Sequence, residues 1–173
     1  MKKSVHIIID LAISLALIFL DQFTKLLAVK HLKGRPAIPL ISGVFELDYL
    51  ENRGSAFGMF QNQKFFILLV SFVFLAVLLF LLFKLPEGKK YNWLHFVIVV
   101  IIAGGIGNMI DRFRLDYVVD FFSFVLIHFP VFNVADIYIV VATVLLAVLI
   151  LFVYGEEDFQ FLPFGRKKTG EKK

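Results

Sequence analysis

The sequence predicts an all-α polytopic membrane protein of four transmembrane helices, with a small extracytoplasmic β-hairpin and a short interfacial helix. Three observations lead there. Of 173 residues, 60% are hydrophobic and only 18% charged, and mean hydropathy is +0.85; a water-facing helix needs a polar face that long stretches here lack. Four apolar runs are long enough to cross about 30 Å of hydrocarbon, which takes roughly 20 helical residues. Backbone groups cannot stay unpaired in lipid, so these runs are helices and not open strands.

The first span covers about residues 5–27. Its opening Met1-Lys2-Lys3 and apolar run resemble a removable signal peptide, but Asp10 interrupts the run and no small-x-small cleavage site follows. The polar cluster Asp21-Gln22-Phe23-Thr24-Lys25 closes the span instead. Spans two to four cover about 65–83, 93–110 and 134–154, making one membrane domain over 1–155 with a charged, frayed tail over 156–173. Lys2, Lys3, the three lysines of 84–90 and the five basic residues of 166–173 lie on one side. Their density places both termini and the second loop in the cytoplasm. The same flanking positions suit contact with membrane lipids, so the net charge of +4 is not a nucleic-acid footprint.

Two extracytoplasmic loops remain, 28–64 and 111–133. In the first, Pro39 to Ser42 and Val44 to Leu50 are short β-prone runs joined at Ser42-Gly43. Phe45, Leu47 and Tyr49 alternate with Glu46 and Asp48, as a half-exposed hairpin requires. Residues 52–60 mix Gly and Ser with Phe57, Met59 and Phe60, a turn leading into a short interfacial helix. The second loop carries Asp120 within Val118-Val119-Asp120-Phe121-Phe122, where a bare carboxylate needs a partner. It is read as loop throughout.

Alternating spans carry the polar residues to one membrane face: Asp21 and Lys25, Asn52, Asn108, Asp111 and Arg112, Asp120, then Asn133 and Asp136. Ionisable groups at membrane depth are costly and mark function by default. Asn133 and Asp136 have capping-box spacing, and the same place suits catalysis. There the helix N-terminus favours a carboxylate, while apolar surroundings favour the acid. A second carboxyl nearby would drive the two pKa values apart, so that one group draws a proton from water while the other protonates a carbonyl. Asn108 and Arg112 share a helix face; Arg112 is either a snorkelling arginine or a group that binds substrate carbonyls or pairs with a site carboxylate. The glycines at 104, 105 and 107 serve either helix packing or close approach of a substrate. Asp21 and Lys25 fit an ion pair closing the helix end, and His6 and Asp10 repeat that spacing near the opposite face as structural residues. There is no Cys, hence no thiol nucleophile, and no HExxH pattern among the histidines, so no metal or cofactor is called for. A serine–lysine hydrolase using Ser55 and Lys25 has no spacing to support it.

The motifs resemble those of the lipoprotein signal peptidases (signal peptidase II), bacterial membrane aspartyl proteases. Asp21 to Lys25 is similar to the first motif. Asn52-Arg53-Gly54-Ser55-Ala56-Phe57 is similar to N-x-G-x-A-F, and Gly104 through Arg112 to the family's Gly-rich block ending G-N-x-x-D-R. Val119-Asp120-Phe121 and Phe132-Asn133-Val134-Ala135-Asp136 are similar to the two aspartate motifs. Together they cover essentially the whole chain in order. The resemblance implies four helices, an extracytoplasmic β-cradle and a short surface helix. It implies Asp120 and Asp136 as the catalytic dyad, with Asn52, Gly54, Asn108, Arg112 and Asn133 lining or supporting the substrate site and Asp21 and Lys25 supporting it. It further implies no cofactor, globomycin-type inhibitors, a bacterial cytoplasmic membrane, and a diacylglyceryl-modified prolipoprotein substrate cut before its lipidated Cys. The Gly-rich stretch of span three is then expected to give a signal-peptide helix room to dock. A proton-coupled transporter subunit is the alternative, although transporters place their carboxylates near the midplane on broken helices, and a lipid-head-group transferase would more naturally recruit a His or a metal.

Overall fold

The computed structural model describes residues 3–54, 59–60 and 63–162. Four helices are long and apolar enough to cross a membrane: α1 (Lys3–Leu32), α2 (Lys64–Lys84), α3 (Asn92–Leu115) and α4 (Val134–Phe152). Helix α3 is the centre, with α1, α2 and α4 packed against it. Its Val97, Ile98, Ile101 and Ile102 meet Leu75 and Leu78 of α2 and Ala142 and Leu149 of α4 in one apolar cluster. The outer three helices turn unbroken apolar faces outward: Phe19, Phe72 and Leu151 are each more than 60% exposed. In water such surfaces would drive aggregation, whereas in lipid they are the solvent-facing side.

A three-stranded antiparallel sheet sits at one end of the bundle, in the order β1 (Ile38–Ile41), β2 (Phe45–Asn52), β3 (Val118–Phe124). Strands β1 and β2 form the expected hairpin, turned at Gly43, whose φ of 71° is the left-handed region glycine enters freely. Pro39 lies on the edge strand, where its missing N–H costs no ladder bond. The third strand is a correction to the sequence reading. Asp120, expected on a loop, lies in β3 with Leu50 opposite it. The run Val118–Phe124 lacks clean alternation because nearly every residue is buried: Val118, Val119, Asp120 and Phe121 are each 5% exposed or less, and period 2 shows only where one face meets solvent. Phe121 and Phe122 donate their N–H groups to Phe132 O, and Phe132 N–H returns to Phe122 O. That bridge brings the chain back beside Asp120 just before α4 begins. Beneath the sheet, Val119 and Phe121 pack on Ala28 and Leu32 of α1 in a second apolar cluster.

Two further differences concern the ends. The spans overrun their expected limits, α1 by five residues to Leu32 and α3 by five to Leu115, because polar residues outside the hydrocarbon do not stop a helix. Residues Glu156–Phe159, expected to fray, form a 3-10 turn: Asp158 takes Lys90 Nζ at 2.5 Å and Gly155 N–H at 3.0 Å, and Phe159 packs on the main cluster. The interfacial helix expected over 52–60 falls partly on residues outside those described, 55–58; Met59 and Phe60 form a turn.

Candidate active site

Each aspartate is held by a different element. Asn133 caps α4 with an extended backbone (φ −130°), and its Oδ1 accepts Asp136 N–H at 3.0 Å. Asp136 Oδ2 accepts Asn133 N–H in return at 3.2 Å, completing the capping box. Capping and site placement are therefore one device: the bond that ends the helix also fixes the carboxylate at its mouth. Asp120 projects from β3 on the face it shares with Asn52, because Asn52 pairs with Val118, two residues before Asp120. Asn52 Nδ2 donates to Asp120 Oδ2 at 2.9 Å and Asn133 Nδ2 to Asp120 Oδ1 at 2.6 Å.

Three asparagines thus hold the two carboxylates, and Asn133 bonds both. Asn108 Nδ2 donates to Asp136 Oδ1 at 2.8 Å, while Asn108 Oδ1 accepts from Lys25 Nζ at 2.9 Å and Asn133 Nδ2 at 3.1 Å. A lysine ammonium has only donors, so Asn108 must turn its oxygen to Lys25 and its NH2 to Asp136. Likewise Asn133 must turn its oxygen to Asp136 N–H and its NH2 to Asp120. Every carboxylate oxygen of the pair therefore accepts one N–H.

Burial differs between the two. Asp120 is 1% exposed, whereas Asp136 is half-buried. Burial pushes the Asp120 carboxyl up from 3.8 to about 7, with the neighbouring Asp136 charge adding to it and the Asn52 and Asn133 amides pulling the other way. Both line one cavity of about 910 Å³, together with Asn52, Asn108 and Arg112 and an apolar wall that includes Phe129, Phe132, Ile137, Val140 and Val141. Arg112, also half-buried, donates through Nη2 to Gly54 O at 3.1 Å and through Nη1 to Asn108 O at 3.4 Å. It ties the first loop to α3 and makes no ion pair with either aspartate. Gly54 N–H is held by Asn52 Oδ1 at 3.0 Å.

Behind this pair lies a buried charged cluster. Lys25 Nζ is 2.9 Å from both Asp21 Oδ2 and Asp111 Oδ2, all three side chains less than 5% exposed. Asp21 Oδ1 also accepts Ala135 N–H at 3.0 Å, in the first turn of α4. Lys25 is thereby occupied and offers no free amine to a nucleophile such as Ser55, which lies outside the described residues. Sequence reasoning placed Asp111 on the right face but gave it no role, and passed over Gln22, whose Nε2 reaches Asp111 Oδ1 at 2.9 Å. The spacing of Asp111 three residues after Asn108, with Gln22 beside Asp21, was the available signal.

The glycines of α3 do not leave room for a docking helix. A Cβ on Gly104 would meet Ala135 O at 2.7 Å, on Gly105 Leu75 Cδ2 at 2.9 Å, and on Gly107 Asp21 Oδ2 at 2.5 Å. They admit the chain's own α4, α2 and Asp21, and the expectation that they receive a signal peptide is withdrawn. His6 and Asp10 lie apart from the site: His6 stacks on His95 with ring centroids 5.5 Å apart, and His95 Nδ1 stands 3.5 Å from Asp10 Oδ2. No cluster of three potential metal ligands occurs among the described residues.

The family model for signal peptidase (SPase) II matches residues 13–152. A lipoprotein signal peptidase of Caldanaerobacter subterraneus subsp. tengcongensis is 48% identical over 139 residues, which is 80% of this chain and 92% of that protein. The Streptococcus thermophilus lipoprotein signal peptidase is 46% identical, over 83% of this chain and 91% of its own length. That of Clostridioides difficile is 42% identical over 81% and 93%. Among solved structures, a bacterial membrane enzyme determined by the in meso method at 2.3 Å resolution superposes with a TM-score of 0.71 at 25% identity, covering 81% of this chain and 85% of the other.

Proposed function

This chain belongs to the signal peptidase II family, and we propose that Asp120 and Asp136 are the catalytic pair with which it removes signal peptides from prolipoproteins. The observation that carries the assignment is their shared cavity at one end of the bundle, where burial pushes the Asp120 carboxyl up to about 7. Asp120, pushed up to about 7, holds the proton; Asp136, at the N-terminus of α4 and less buried, acts as the carboxylate. In the reaction, Asp136 takes a proton from water, whose oxygen attacks the scissile carbonyl carbon. Asp120 gives its proton to the carbonyl oxygen, forming a gem-diol. Breakdown returns a proton to the leaving nitrogen as the C–N bond breaks. Arg112, with donors to spare beyond Gly54 and Asn108, steadies substrate carbonyls over the cavity.

The substrate is a diacylglyceryl-modified prolipoprotein cut before its lipidated Cys. Its acyl chains meet the apolar wall of Ile137, Val140 and Val141, which continues into the lipid-facing side of α4. Globomycin-type inhibitors occupy the same cavity. The site faces outward, with both termini in the cytoplasm of a bacterial membrane, since the basic loops flank the opposite helix ends. Residues 1–155 form the protease unit, extended here by the docked turn at Glu156–Phe159. Proton transport finds no support, because the carboxylates gather at helix ends away from the midplane. Asp120→Asn and Asp136→Asn, assayed in detergent on lipidated prolipoprotein, are each expected to lose cleavage by about 10³-fold while still binding substrate. Native-rate cleavage by either would remove that residue from the pair.

A further inference from the structure

The catalytic assignment leaves one buried titratable group without a task. Asp111 is 3% exposed, lies on α3, and touches neither the cavity nor either proposed catalytic carboxylate. We propose that Asp111 is the positioning residue that sets both members of the pair at once, through a lysine–asparagine arm to Asp136 and a main-chain arm to Asp120.

The first arm starts at Asp111 Oδ2, 2.9 Å from Lys25 Nζ. Lys25 turns the oxygen of Asn108 toward itself at 2.9 Å, which leaves the Asn108 NH2 for Asp136 Oδ1 at 2.8 Å. Without Asp111, Lys25 keeps Asp21 as its partner at 2.9 Å and is free to swing away from Asn108. The second arm uses the same Oδ2, which accepts the main-chain N–H of Val119 at 3.2 Å. Val119 is the residue before Asp120, so this bond fixes the height of β3 against α3 at the catalytic position. Oδ1 is held by Gln22 Nε2 at 2.9 Å, which keeps the carboxylate from rotating. One carboxylate oxygen therefore stands at the fork of two paths that end at the two reacting groups.

The charges facing the pair are Asp21 and Lys25 from α1, Asp111 and Arg112 from α3, and Glu51 at the cavity rim on β2. Asp111 and Asp21 together offset Lys25, so removing one negative charge leaves the lysine field less compensated. Asp120 then ionises more readily, and the alkaline limb of the pH–rate profile, which its proton sets, moves to lower pH. A residue that only stabilised the fold would lower the active fraction and leave the limbs in place.

The inference rests on Asp120 and Asp136 being the catalytic pair, and the test separates the two. Full-length Asp111→Asn, Asp111→Glu, Asp120→Asn and Asp136→Asn are purified in detergent and assayed on lipidated prolipoprotein from pH 4.5 to 9. Asp111→Asn is expected to lose roughly 10- to 100-fold in kcat, keep KM within about twofold, and shift the alkaline limb down by about half a pH unit. Asp111→Glu keeps the charge but lengthens the arm, so kcat falls while the limbs stay; it also serves should Asp111→Asn fail to fold. Unchanged kcat in Asp111→Glu, loss confined to KM, or an Asp111→Asn profile with an unmoved alkaline limb each overturns the role of Asp111. If Asp120→Asn or Asp136→Asn retains cleavage, the pair itself is wrong and the positioning argument goes with it.

Discussion

Asn52→Leu removes an amide that holds the buried aspartate. Leucine keeps the branched outline and heavy-atom count of asparagine and removes the Nδ2 that donates to Asp120 Oδ2 at 2.9 Å. That amide stabilises the ionised form and holds the Asp120 pKa down, so its loss raises a pKa already pushed up to about 7. A hydrogen bond to a charged group is worth about 1.5–3 kcal/mol, and a pKa unit corresponds to about 1.36 kcal/mol, so the upper bound is roughly 1–2 units. Asn52 is half-buried beside an open cavity, where water replaces part of the lost donor. The expected shift is therefore about half to one unit upward. The group that must stay protonated then does so to higher pH, and the alkaline limb of kcat moves up while the acid limb holds nearer its place. Single-turnover cleavage of lipidated prolipoprotein between pH 5 and 9.5 measures it. Asn52 Oδ1 also restrains Gly54 N–H at 3.0 Å, so KM is expected to rise, and the limb is read from kcat. An alkaline limb that stays put or moves down would refute the reasoning that Asp120 is the proton donor governed by this amide.

Two more outcomes follow from the same geometry. Because folding raises the Asp120 pKa from 3.8 to about 7, the stability its neutral form contributes is fully present below about pH 4 and is lost as pH rises through about 7. Three units correspond to at most about 4 kcal/mol. Asp120→Asn does not titrate, so chemical unfolding in detergent at pH 4.5 and 8 should show a flatter pH dependence than the parent, and equal slopes would contradict the burial argument. Gly107→Ala puts a Cβ 2.5 Å from Asp21 Oδ2, displacing the carboxylate that holds Ala135 N–H at 3.0 Å at the start of α4. It should cost about 1–3 kcal/mol, read as a lowered unfolding midpoint, and an unchanged midpoint would mean that Asp21 has room to move.

The spans were legible because lipid imposes a single demand, about 20 apolar residues with every backbone group paired internally. The hairpin turn was legible at Gly43, and the α4 cap at Asn133 and Asp136, because capping chemistry is local in sequence. Strand β3 was not. A strand buried on both faces loses its alternation, and Val118–Phe124 becomes a strand only by pairing with β2, more than sixty residues earlier. The glycines of α3 were ambiguous for a similar reason: sequence shows that side chains are missing there but not which neighbour fills the space, and the answer was Ala135, Leu75 and Asp21.

By itself the sequence determined that four helices cross a membrane, that the polar residues meet at one face, and that two of its aspartates match the motifs of an aspartyl protease. Periodicity, span length and capping are properties of neighbouring residues, and alternation of spans carries them to a common end. Only the tertiary structure decided how the aspartates differ and what holds them. Both line one cavity, Asp120 buried in β3 and Asp136 half-buried at the start of α4, and three asparagines and Lys25 orient the amides that hold them. Burial and hydrogen-bond direction depend on side chains brought together from α1, α3, α4, β2 and β3, and no local pattern encodes that arrangement.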